Sequence, residues 1–250
     1  MKGAINLLGV GLRPVGIDQA LQIVAEHIAM KRGDYFCFVN IHVVMEGIKD
    51  PGIKRILNDS AANFPDGMGV ARALKMLRNR FEGRVRGTDF MLKLCDHASK
   101  NDLKVFFYGN TDETLALLLE KLKSSYPALN IVGAISPPFR DLTKEEDDAY
   151  TRQINDSGAD ILFISLGAPK QEKWMLEHKG RIKAIQLGVG AAFSFLTGRI
   201  REAPQWMQKS YLEWLFRLPQ EPKKTTYRML LVPEFLFRLF VQIVKERIRI

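Results

Sequence analysis

Residues that carry metal and thiol chemistry are scarce, with two cysteines and four histidines in 250 residues. Cys37 sits in an apolar run and Cys95 in a helix-like run. That predicts reduced core thiols rather than a disulfide, and two cysteines make no zinc signature. His27, His42, His97 and His178 are scattered, with no pair at metal-ligand spacing. No Asp-x-Asp pair follows an apolar run to hold a metal between phosphates, and Asp147-Asp148 reads as the solvated face of a helix. No metal site and no cofactor are therefore expected. A Gly-x-Ser-x-Gly elbow is missing, which argues against an α/β-hydrolase. So is a Walker A lysine loop, which argues against ATP or GTP hydrolysis. Gly9/Gly11, Gly67/Gly69 and Gly188/Gly190 each stop short of the spaced dinucleotide fingerprint. Met1 to Val15 is interrupted by Gly9, Gly11 and Pro14 and shows no small-residue cleavage pattern. No secretory signal is expected, and a cytosolic setting follows. There is no repeat of fixed period and no low-complexity linker.

What is present is an alternation of short apolar runs with helix-like stretches. Strands are predicted over Asn6–Gly11, Tyr35–Val39, Ala61–Phe64, Leu103–Tyr108, Leu129–Ile135, Ile161–Leu166 and Ala184–Leu187. Helices fall between them, from Asp18, Ile41, Pro51, Val70, Thr88 (as a cap), Asp112 and Thr143 (as a cap). Pro169 is placed to open a helix at its first position. The pattern is that of an α/β, Rossmann-like fold, a mostly parallel sheet with helices on both faces. It occupies residues 1–200, and a helical, basic C-terminal appendage occupies 201–250.

The appendage has its own character. From Arg199 to Ile250 there are eleven basic and five acidic side chains, two thirds of the net charge of +9. Ala203 to Arg217 reads as one amphipathic, aromatic helix broken by Pro219 and Pro222, and Pro233 is placed to start a last helix at Glu234. There Glu234, Arg238, Gln242, Lys245 and Arg249 form a narrow polar stripe beside a wide apolar arc. The run is shorter than the roughly 20 apolar residues needed to span a bilayer. It suits a helix lying on an anionic membrane surface; packing on the domain or on another subunit needs the same pattern.

In an open α/β sheet, ligands sit beyond the carboxyl ends of the strands. Gly167–Glu172 and Gly188–Ala192 would be adjacent rims of one cleft, or two strand-to-helix turns without a ligand. Asp66 follows a strand between Pro65 and Gly67 and is placed as a general base, or as a turn aspartate that satisfies nearby amides. Asn40 is a ligand contact or a strand terminator. Without a metal, a diphosphate would need amides, helix N-termini and cations such as Lys170, Arg84, Arg86 and the basic tail. A nucleic-acid-binding module using that tail, with Trp206, Tyr211 and Trp214 stacking on bases, is the second reading. A sugar-nucleotide epimerase is the third, and the missing dinucleotide fingerprint speaks against it.

Several segments together resemble the WecG/TagA/CpsF family of bacterial glycosyltransferases. They are Phe64-Pro-Asp-Gly-Met-Gly69, Arg84-Val-Arg-Gly-Thr-Asp89, Gly167-Ala-Pro-Lys-Gln-Glu-Lys-Trp174, Gly188-Val-Gly-Ala-Ala-Phe193, Ala203-Pro-Gln-Trp-Met207 and Glu213-Trp-Leu-Phe-Arg-Leu218. The resemblance implies inverting transfer from a UDP-sugar to a polyprenyl-diphosphate-linked saccharide, by a peripheral protein at the cytoplasmic face of the plasma membrane. It makes Asp66 the base and puts Asn40 near the sugar. It assigns Gly109, Asn110, Lys170, Gln171, Glu172, Gly188, Gly190 and Arg84 to the UDP-sugar, and Arg217, Lys224 and Arg228 to the diphosphate. Ser194 stands where the family often has Asp, Lys224 where it has Arg, and Phe38 where teichoic-acid members have Thr. The donor therefore stays open among N-acetylmannosamine, its uronic acid, glucose and galactose. The partners expected are that donor, the lipid-linked acceptor, an anionic membrane surface and further copies of the chain, with no nucleic acid.

Overall fold

A computed structural model describes residues 3–78, 82–209 and 212–248. It opens with a hairpin, β1 (Ile5–Leu7) and β2 (Val10–Leu12), paired antiparallel. The single strand expected over Asn6–Gly11 is thus two. Leu8 and Gly9 both take positive φ (54° and 93°), the two-residue turn that reverses a chain most tightly, and Asn6 Oδ1 accepts from Gly9 N at 2.8 Å.

The body follows the predicted alternation. In chain order the elements are α1 (Ile17–Ala29), β3 (Tyr35–Val39), α2 (Ile41–Lys49), α3 (Pro51–Asp59), β4 (Ala62–Pro65), α4 (Met68–Arg78) and α5 (Gly87–Lys100). Then come β5 (Lys104–Gly109), α6 (Asp112–Ser125), β6 (Asn130–Ile135), α7 (Lys144–Asp156), β7 (Ile161–Ser165), α8 (Lys170–Glu177), β8 (Ile185–Gly188) and α9 (Ala192–Leu196). Strands β3 to β8 form one all-parallel sheet in the order β4-β3-β8-β7-β5-β6.

Its strands are apolar on both sides because both faces are covered. On one face Tyr35, Cys37, Val39, Phe106, Tyr108, Leu162 and Ile164 pack with side chains of α2, α3, α4 and α8. On the other, Phe36, Phe38, Val105, Phe107, Ile161 and Phe163 pack with α1, α5, α6 and α9. Thr143 caps α7 as expected, in a capping box with Glu146. Thr88 does not cap α5. It is buried inside the first turn, and the N-cap position falls to Arg86. The helix starts earlier because Gly87 lies against the turn after β8, where an added Cβ would come within 3.1 Å of Val189 O. Pro169 likewise precedes its helix, at the N-cap of α8 rather than at its first position.

The appendage differs most from expectation. Instead of one amphipathic helix there are two short ones, α10 (Gln205–Lys209) and α11 (Glu213–Arg217); Tyr211 lies outside the described residues. Pro222 opens α12 (Pro222–Ile248), which continues through Pro233. A mid-helix proline removes one hydrogen bond and crowds the preceding turn. Packing on both sides of it holds the helix together. Leu231, Phe235 and Leu239, one helical turn apart and 5%, 1% and 2% exposed, enter the same core cluster as α2, α3 and α4. Each contributes about 1.5–3 kcal/mol by leaving water. Gln242, read as part of a narrow polar stripe, donates to Asn6 O at 2.8 Å and accepts from Leu8 N at 2.9 Å. The opposite side stays in solvent, with Leu230, Phe237 and Phe240 at 72%, 67% and 64% exposed. Arg249 lies outside the described residues.

Candidate functional site

Parallel strands bring all six strand ends to one rim. Asn40 follows β3, Asp66 β4, Asn110 β5, Ser136 β6, Leu166 β7 and Val189 β8. After β3 the chain passes to one face as α2, and after β8 it passes to the other as α9. The two connections part and leave a crevice at the sheet's switch point, where α/β folds place ligands.

The β5–β7–β8 side of this rim is built from glycines and neutral polar groups. Gly109 takes φ +113°, and a Cβ there would meet Ser165 O at 2.6 Å. Only glycine lets β5 end so close to β7. Asn110 follows at φ 68°, and its amide donates to Ser194 Oγ at 3.1 Å. Ser136 Oγ donates to Asn110 O and Ser165 Oγ to Gly190 O. Gln171 is 2% exposed and acts as a staple. Its Nε2 donates to Gly188 O at 2.9 Å and its Oε1 accepts from Gly190 N at 3.1 Å, which ties the turn after β7 to the turn after β8.

Glu172 lies beneath that staple, fully buried, and accepts from Gln171 Nε2 at 3.0 Å; its second oxygen takes no hydrogen bond. Burial pushes its carboxyl up to about 7. Gln171 and Glu172 therefore face inward and shape the rim, while Lys170 stands exposed at the first position of α8. Ser165 carried no signal in the sequence beyond its place at the end of an apolar run.

The β3–β4 side is charged. Asp66 N donates to Val39 O at 2.9 Å, and Val85 N to Pro65 O at 2.8 Å. These bonds splice the Arg84–Arg86 segment onto the end of β4 beside Asp66. Asn40 is spent partly as a cap, since its Oδ1 accepts from Val43 N at 3.2 Å. Asp66 does not serve as a turn aspartate in that way. Among the described residues, its carboxylate takes no hydrogen bond from the first turn of α4. The residue is half-buried, and burial, then the charge of Glu213, push its carboxyl up to about 6, against the pull of Arg86, Arg217 and Arg84.

The appendage closes this half. Glu213 meets Arg217 Nη2 at 3.0 Å and Arg84 Nη1 at 3.8 Å. Gln208 Oε1 accepts from Arg84 at 2.6 Å and from Arg86 at 3.1 Å, and Glu202 from Arg86 at 2.6 Å. The ring of Phe195 lies under the guanidinium of Arg217 at 4.6 Å and that of Arg86 at 5.9 Å. Arg228 is held below its ordinary value by burial and by Arg217, with Glu221, Asp66 and Glu213 acting the other way. Lys224 is not gathered in; it is exposed and pairs with Glu221 at 2.8 Å.

Arg217 and Arg228 thus lie close enough to Asp66 for their charges to act on it or be acted on by it. Phe38 is core, packed against Phe64 and Phe90, and touches no part of the crevice. Glu202, Gln208 and Glu213 were not marked as site residues by the sequence; Glu213 opens the Glu213–Leu218 segment, and Glu202 and Gln208 only flank Ala203–Met207. Among the described residues, no three potential ligands gather to hold a metal ion, and no helix is long and apolar enough to cross a membrane.

The model of the Glycosyl transferase WecG/TagA/CpsF family matches residues 5–249. The chain is similar to the N-acetylglucosaminyldiphosphoundecaprenol N-acetyl-beta-D-mannosaminyltransferase of Bacillus subtilis (strain 168), 30% identical over 84% of this chain and 80% of the relative. It is also similar to the enzyme of the same name from Bacillus spizizenii (strain ATCC 23059 / NRRL B-14472 / W23), 27% identical over 84% of this chain and 79% of the relative.

Proposed function

Since the chain belongs to the WecG/TagA/CpsF family and is a glycosyltransferase, we propose that it moves a sugar from a UDP-sugar to a polyprenyl-diphosphate-linked saccharide, with inversion, and that Asp66 is the general base. The observation that carries this reading is the placement of Asp66. It is a half-buried carboxylate with its proton affinity raised, ringed by Arg84, Arg86, Arg217 and Arg228 at the rim where α/β folds hold ligands.

The step is a single displacement. The acceptor hydroxyl gives its proton to Asp66 as its oxygen bonds to the anomeric carbon, and the bond from that carbon to the UDP oxygen breaks on the opposite side. A carboxylate titrating near 6 is mostly ionised at neutral pH and still basic enough to share the proton in the transition state. The departing diphosphate gathers charge and needs fixed donors. Arg84, Arg217 and Arg228 suit that need from one side. The Gly109–Asn110 and Gly188–Gly190 turns suit it from the other, with Gln171 and Glu172 as supports and Lys170 at the start of α8. Asn40 would lie beside the transferred sugar. No metal has a role in this scheme. The relatives' names support N-acetylmannosamine as donor and an N-acetylglucosaminyl diphosphate lipid as acceptor. The exposed apolar side of α12 fits a membrane surface, where such an acceptor resides.

The test is turnover with a prenyl-diphosphate N-acetylglucosamine acceptor against a panel of UDP-sugars. Product with UDP-N-acetylmannosamine supports the whole reading. Product with another UDP-sugar corrects the donor alone, and no product with any UDP-sugar overturns it.

A further inference from the structure

We propose that Glu213 is a resident anion in the diphosphate site, whose carboxylate spans Arg84 and Arg217 until a diphosphate group takes both arginines from it. Its two oxygens meet different guanidinium groups. One belongs to the segment spliced onto β4, at 3.8 Å, and the other to α11, at 3.0 Å. That is the arrangement in which two oxygens of a diphosphate would be held. The three side chains are 30%, 18% and 20% exposed, so the contact is largely shielded from solvent.

The hold is incomplete. At 3.8 Å the Arg84 contact is an ion pair without a hydrogen bond, and Arg84 turns its other nitrogen to the neutral Gln208. Other charges crowd the same contact. Around Asp66 stand Arg84 and Arg86 from the segment before α5, Arg217 and Glu213 from α11, and Arg228 from α12 with Glu221 just before it. Glu202 lies behind Arg86, and α9 offers only the neutral ring of Phe195. Asp89 also meets Arg86 at 3.4 Å, while Arg217 and Arg228 repel each other. A diphosphate brings more negative charge than one carboxylate and relieves that repulsion. Glu213 thereby keeps the arginines ordered and the appendage docked, and it competes with the ligand it stands in for.

The inference rests on the proposed reading of Arg84 and Arg217 as diphosphate ligands, and on Asp66 as base only for its second readout. The measurement is binding of UDP, and separately of farnesyl diphosphate, to the full chain and to the Glu213→Gln and Glu213→Ala variants, with thermal melting to confirm folding. Loss of a competing ion pair of this kind tightens at least one diphosphate about threefold or more. The ligand that tightens names the source, donor or acceptor. Dissociation constants unchanged or raised for both ligands in folded variants overturn the proposal. The second readout is the acid limb of kcat/KM against pH, which moves to lower pH in Glu213→Gln because a negative neighbour of Asp66 is gone. Tighter binding with an unmoved limb leaves Glu213 in its role and removes Asp66 from its own.

Discussion

At the β5–β7–β8 end of the rim, the polar groups are neutral and come from turns of a few residues each: Gly109-Asn110, Ser165 and Gly188-Val-Gly190, stapled by Gln171. At the β3–β4 end they are charged and come from separated stretches of chain, around positions 66, 84–86, 202–217 and 228. The first half needs only the sheet to be in place. The second exists only when α10, α11 and α12 have packed against it. A glycosyl transfer asks for this division. On the proposed reading, a sugar nucleotide would be gripped by backbone and amide groups that need not change, while the charge that develops in the reaction would be met by a cluster whose members can be tuned.

The strongest way to break that comparison is at Asp66. Asp66→Asn is expected to lower turnover about a hundredfold to ten-thousandfold while UDP binding by calorimetry stays within a few-fold of the parent; turnover at the parental rate would remove the base. In the parent, kcat/KM is expected to fall as pH drops through about 6, the value to which burial and Glu213 push this carboxyl. Stability runs the other way. A carboxyl raised in the folded state favours the protonated form, so its contribution is present below the ordinary value of 3.8 and lost as pH rises through about 6. Asp66→Asn is thus expected to be the more stable protein at pH 8, by about 1–2 kcal/mol, and no different at pH 3, in thermal melts at both pH values.

The neutral half is sharpened by Gly109→Ala. A Cβ 2.6 Å from Ser165 O, at φ +113°, forces β5 and β7 apart. The expected cost is about 2–4 kcal/mol by denaturant unfolding, with UDP affinity reduced more than the pH profile is altered. A profile that shifts as far as the affinity would show that the two halves are not separate.

The smallest effect expected is on α12. Phe237→Ser and Phe240→Ser change exposed residues and should leave the melting temperature within about 2 °C while weakening binding to anionic liposomes. Phe235→Ser, in the buried stripe, should destabilise the fold by about 3 kcal/mol or more. Equal liposome binding by all three would take the exposed side out of any membrane role.

The body of the fold was legible because its signals are local. Apolar runs such as Ile161–Leu166 read as strands covered on both faces, and caps such as Thr143 mark helix starts without outside help. The neutral half of the site was legible for the same reason, through its glycines. The hairpin was missed because Leu8, not glycine or asparagine, takes the first left-handed position of the turn. Thr88 misled because the close approach of Gly87 to Val189 O, which sets the start of α5, is a tertiary fact. Pro233 misled because packing of Leu231, Phe235 and Leu239 outweighs a local preference to break. In the charged half, Asp66 and the arginines were named one by one. Glu213, which joins them, acts across more than a hundred residues of sequence, and no pattern in a single chain announces such a partner.

The order in which the chain emerges during synthesis gives the docking of α12 a further consequence. The strands of the sheet and the turns after them lie within residues 35–196 and leave the ribosome before residues 212–248, which bring Arg217 and Arg228. On the proposed reading, the groups assigned to the donor precede the cations assigned to its diphosphate. The last helix would then complete the site, tied to the first hairpin by the two hydrogen bonds of Gln242.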